Sequence, residues 1–102
     1  MGRDERVTTM DLARLLKSVG QRTFVTYFDL FADQTLTNQE VVEALPEHYT
    51  LKARRSKTGH ARMIISEGLT TKALEVIAAS TRAGNEGTAK AAQDLLTKIQ
   101  GV

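Results

Sequence analysis

The chain has no cysteine and no tryptophan, a single proline, and only five aromatic residues among 102. Without cysteine there are no disulfides, no thiolate metal sites and no cysteine nucleophile. A cysteine-free chain suits a reducing, cytoplasmic setting, which is the expected location. One proline and seven glycines argue against a low-complexity or disordered chain. Apolar runs are only a few residues long, far short of the roughly 20 residues of a membrane span, so no membrane partner is expected. Met1 to Thr9 is charged and has no apolar run, which predicts that it is not a secretory signal.

Catalytic patterns are missing too. His48 and His60 stand twelve apart, and neither has a second histidine or an acid at the spacing of a zinc pair. Gly84-Asn85-Glu86-Gly87 lacks the Lys-Ser/Thr and the preceding strand of a phosphate-cradling loop. No serine sits in a Gly-x-Ser-x-Gly setting. The carboxylate pairs Glu40/Glu43 and Asp29/Asp33 have the spacing of solubilising residues on amphipathic helices. The expectation is a protein that is not an enzyme and uses no cofactor and no metal.

The most telling absence is local. His48 to Ser66 is a run of nineteen residues without one acid, and it holds five of the fourteen basic side chains: Lys52, Arg54, Arg55, Lys57 and Arg62. The net charge of +2 hides the same asymmetry. Residues 1–50 carry five basic and eight acidic side chains, whereas residues 51–102 carry nine basic and four acidic. A molecule so polarised can turn its basic side to a polyanion.

The remaining pattern is helical. Length predicts one domain, with a mobile arm over residues 1–8 and a single helical domain over 9–102. Thr9 precedes Leu12, Leu15, Leu16 and Val19 at helical spacing, and Gly20 suits the end of that helix. In Arg22 to Phe31, β-branched and aromatic residues favour a strand. The spacing of Phe24, Tyr27, Phe28 and Phe31 nevertheless makes one helical face, predicting a helix near 22–32. Thr37 and Glu40 have the spacing of a capping box, and Leu36 and Val41 that of a hydrophobic staple. That helix should run to Leu45, stop at Pro46 and bury Val41, Ala44 and Leu45. Residues 47–56 read as extended or irregular, with the alternation Tyr49 to Ala53 leaving room for a short β-wing. A helix follows over 57–67, with Thr58, Arg62 and Ser66 on its outer side. Gly68 ends it. Leu69 and Leu74 then have staple spacing around a cap at Thr70, at the start of another helix. Asn85 is placed to cap the final helix, in which Ala89, Ala92, Leu96 and Ile99 form a short coiled-coil-like seam. The expected fold class is therefore all-α: about six short helices in one compact domain, containing a helix-turn-helix-like three-helix unit.

In such a unit the last helix enters the major groove. Arg62 and Thr58, with Ser66 beside them, would approach base edges; Lys52, Arg54, Arg55 and Lys57 would hold phosphates; and Gly59 would let backbone come close to one. Five phosphate contacts predict a salt slope of about −4.5, or several hundredfold weaker binding for a fourfold rise in salt. The eleven residues expected between the two helices exceed the three or four of a compact helix-turn-helix. The functional expectation is a small DNA-binding protein of regulatory or accessory type. Its partner would be double-stranded DNA, bound as a homodimer through the C-terminal helix. The alternative is a helical protein–protein module, such as an adaptor, antitoxin-like or inhibitor protein, without nucleic-acid binding.

Overall fold

The computed structural model describes residues 9–81 and 83–100. The expected arm at 1–8, with Arg3 and Arg6, lies outside the described residues. Seven helices, and no strand, are found among the described residues: α1 (Thr9–Val19), α2 (Gln21–Thr26), α3 (Phe28–Ala32), α4 (Asn38–Ala44), α5 (Leu51–Ser66), α6 (Thr70–Ala78) and α7 (Glu86–Ile99).

Local chemistry sets most of the boundaries. The Thr37 hydroxyl accepts from Glu40 N at 3.1 Å while Glu40 Oε1 accepts from Thr37 N at 2.8 Å, completing the capping box; such a cap contributes about 1 kcal/mol. Gly20, at φ +92°, turns the chain between α1 and α2 in a conformation that a Cβ disfavours. Gly68, at φ +75°, closes α5: its N–H donates to Ile65 O, and Leu69 N–H donates to Ile64 O. This double bond pattern satisfies two carbonyls that the helix end would otherwise leave open.

Several elements differ from the sequence reading. The expected helix near 22–32 is broken at Tyr27 (φ −110°, ψ 24°). Three β-branched residues in the turn before it, Thr23, Val25 and Thr26, weaken the helix there. The bonds Tyr27 N to Thr23 O and Phe31 N to Tyr27 O, both 3.0 Å, bridge α2 and α3 across the break. In α4, Val42 is buried and Ala44 is exposed, so the inner stripe is Val41, Val42 and Leu45. The extended segment and its β-wing give way to helix from Leu51 onward, because Thr50 Oγ1 accepts from Ala53 N at 3.1 Å and caps α5 six residues early. Finally, Leu69 rather than Thr70 caps α6, and the Asn85 side chain does not cap α7. It donates instead to Gln21 Oε1 and Ser80 Oγ, both at 2.9 Å.

The core gathers Leu12, Leu16 and Val19 of α1, Ile64 of α5, Leu74 and Ile77 of α6 and Leu96 of α7 around an aromatic centre. Phe24 meets Phe28 edge-on at 5.7 Å and stacks with Phe31 at 6.5 Å, arrangements that suit the ring quadrupoles. α6 and α7 pair as a hairpin. The long helix α5 is the hub, packing on α1, α3, α4 and α6.

Candidate functional site

Burial decides which cations of the hub helix remain available: Lys52 and Arg55 are exposed, whereas Arg54, Lys57 and Arg62 are half-buried. Three of the five basic residues in the acid-free run turn inward, and each reaches the carbonyl end of another helix. Lys57 Nζ donates to Val19 O, the last residue of α1, at 2.8 Å, and sits 5.1 Å over the Tyr49 ring. Arg54 Nη1 donates to Val42 O in the last turn of α4 at 3.4 Å; its Nε is buried with no partner. Arg62 makes the most contacts. Its Nε donates to Phe31 O at 3.1 Å, Nη2 to Asp33 O at 2.6 Å, and Nη1 to Leu36 O at 2.9 Å and Asn38 Oδ1 at 3.0 Å.

These bonds have a common physical cause. The last carbonyls of a helix lack intrahelical donors and carry partial negative charge. Neither α3 nor α4 has a basic residue in its own last turn, so α5 supplies the cations from outside. The planar guanidinium of Arg62 spans carbonyls that no lysine could fork across.

The expectation that Thr58, Arg62 and Ser66 share an outer face is corrected accordingly. Thr58 is 1% exposed, Arg62 is half-buried, and only Ser66 is exposed. α5 begins earlier than expected and packs α4 and the 33–37 connection onto the side that was to face outward. Ser66 Oγ donates to Met63 O at 3.2 Å.

What stays free is a narrower face. Lys52, Arg55, Ser56, Gly59, Met63 and Ser66 are all exposed, and at about 100° per residue they form one strip along α5. No ion pair or hydrogen bond engages Lys52 or Arg55 among the described residues. The first turn of α5 holds no acid, so the partial positive charge of the helix start adds to that of Lys52. Gly59 lies at the centre of the strip. A Cβ there would meet no heavy atom within 4 Å, and a mid-helix glycine costs roughly 0.5–1 kcal/mol relative to alanine. No contact among the described residues requires it.

Beside Gly59 runs a groove of about 230 Å³ between α4 and α5, lined by Asn38, Gln39, Val42, Arg55, Thr58 and Gly59. Asn38 and Gln39 were not legible as site residues. They reach the groove because Arg62 pins the chain that leads into α4, a contact across 24 residues that no local pattern announces. His60 borders the strip, with Nδ1 2.6 Å from Ser18 Oγ and 3.4 Å from Ser56 Oγ. No cluster of three His, Cys, Asp or Glu side chains suited to a metal occurs among the described residues. None of their helices is long and apolar enough to cross a membrane. The chain matches no protein-family model, no curated protein and no solved structure.

Proposed function

We propose that the chain is a small DNA-binding protein of regulatory or accessory type that meets the duplex with the exposed strip of α5. The observation that carries this reading is Gly59: an exposed, stability-costing glycine that no internal contact demands, flanked by two unengaged cations on an acid-free face. Lys52 and Arg55 hold phosphates, Gly59 lets the backbone approach, and Ser56 and Ser66 hydrogen-bond within reach of the groove floor. α4 and α5, joined through residues 45–50, act as a loosely spaced helix-turn-helix pair. Lys57, Arg54 and Arg62 support the helix rather than touch the duplex. Two phosphate contacts bind weakly. A homodimer through α7, whose Ile99 is 43% exposed, doubles the contacts and sets a half-site spacing.

This geometry changes the expected salt dependence. Two neutralised phosphates give a slope of about −1.8 per chain, so binding weakens only about twelvefold between about 50 and 200 mM salt. The test is fluorescence anisotropy of a labelled random duplex at those two salt concentrations. Lys52→Glu/Arg55→Glu should abolish the signal while leaving the circular dichroism unchanged. Equal binding by the double variant would remove the reading.

Leu51 and Met63, each 44% exposed on the same helix, favour a second reading, a protein–protein module docking on α5. That reading expects a partner whose binding survives the charge reversals and barely responds to salt.

A further inference from the structure

Two adjacent residues of α5 carry stability costs that the fold does not repay. Gly59 occupies a mid-helix position with open space where a side chain would be. Thr58, 1% exposed, keeps a buried hydroxyl oxygen with no hydrogen-bond partner, although buried polar groups are almost always paired. Both line the groove between α4 and α5, and among the described residues Arg55 is the only charged one that lines it. Natural sequences break local rules chiefly where function demands it.

We infer that this groove seats a single phosphate group. Arg55 supplies the charge and a two-pronged donor, the geometry that matches phosphate oxygens. Gln39 Nε2 donates one N–H to Glu43 Oε2 at 2.9 Å, and its second N–H serves the ligand. A change of χ1 rotamer would turn the Thr58 hydroxyl toward the groove, where an oxygen of the ligand gives it a partner. The missing side chain at Gly59 leaves the entrance open, and Arg62, through Asn38, holds the opposite wall in place. Among the described residues no acid lines the groove to oppose an anion.

This assignment rests on the interface reading for the origin of the phosphate, a backbone phosphodiester, but the groove is testable without it. The probe is inorganic phosphate titrated into the full chain and followed through backbone amide NMR, with acetate at equal ionic strength as control. Phosphate, and not acetate, should shift the amides of Gln39, Arg55 and Gly59. Thr58→Val and Gly59→Ala should each raise the melting temperature, lose those shifts and bind duplex several-fold more weakly. Arg55→Gln, which touches no internal bond, should lose the shifts with the melting temperature unchanged. Unshifted amides, equal shifts with acetate, or retention of the shifts in all three variants would overturn the assignment. Duplex binding without phosphate shifts would sink the groove and spare the interface. Phosphate shifts without duplex binding would sink the interface and leave the groove as a seat for a free phosphate or a phosphomonoester.

Discussion

The inner and outer sides of α5 put the same residue types to opposite uses. Inward, Lys57, Arg54 and Arg62 close the carbonyl ends of α1, α4 and α3. Outward, the side chains of Lys52 and Arg55, drawn from the same acid-free run, make no hydrogen bond or ion pair among the described residues. Charge density along a chain does not distinguish these roles. What distinguishes them is whether a helix terminus ends against the side chain. A run of cations on a hub helix therefore serves two demands at once, and only the part left over is available to a partner.

The sharpest way to break this comparison is at Arg62. Replacement by methionine removes four hydrogen bonds and leaves the carbonyls of Phe31, Asp33 and Leu36 without this donor. The expected loss is about 2–4 kcal/mol, since bonds to charged groups exceed neutral ones and abandoned acceptors add their own cost. Urea denaturation measures it. Arg62→Lys should recover only a fraction, because an ammonium cannot span the three carbonyls. A loss under about 0.5 kcal/mol, the scale of ordinary surface substitutions, would erase the distinction between the two sides.

Lys57→Met tests the same idea at lower stakes. It removes one charge-assisted bond at the end of α1 and the contact with the Tyr49 ring, for a loss of about 1–2 kcal/mol. Lys52→Met, one helical turn and a half earlier but facing out, should stay within about 0.5 kcal/mol. Similar losses at the two positions would mean that the bond to Val19 contributes nothing.

The division also explains what was legible. Signals that act over three or four residues survive translation into structure: the Thr37–Glu40 box, the Gly20 and Gly68 turns, the aromatic face of Phe24, Phe28 and Phe31. The start of α5 was missed because Tyr49 to Ala53 alternates like a strand, while the deciding signal was one hydroxyl, Thr50, in front of a helix whose apolar stripe begins only at Ala61. The inner face was misread for a deeper reason. Arg62 and Phe31 are 31 residues apart, and Lys57 and Val19 are 38 apart. Which cations meet helix ends depends on tertiary packing, and no periodicity encodes it. Gly59 reads in the sequence only as a place for backbone to approach a phosphate; that a Cβ there meets open space is visible only in the fold.

The smallest effect concerns Asp33, which lies where the inner side meets solvent. Its carboxylate accepts from the Thr35 hydroxyl at 2.5 Å and from Thr35 N–H at 2.9 Å. These bonds, the hydroxyl foremost, hold its pKa below the ordinary carboxylate value; partial burial opposes them, and the nearby charge of Arg62 adds the least. A pKa lowered by folding means that the charged form is favoured in the folded state. The stabilisation is complete above the unfolded value, near pH 4, and fades as pH falls through the folded value. Carboxyl NMR titration should show Thr35→Val moving Asp33 back toward the ordinary value more than Arg62→Met does. The reverse order would mean that Arg62 acts chiefly on the carboxylate, and that the inner side is an ion pair rather than a set of helix caps.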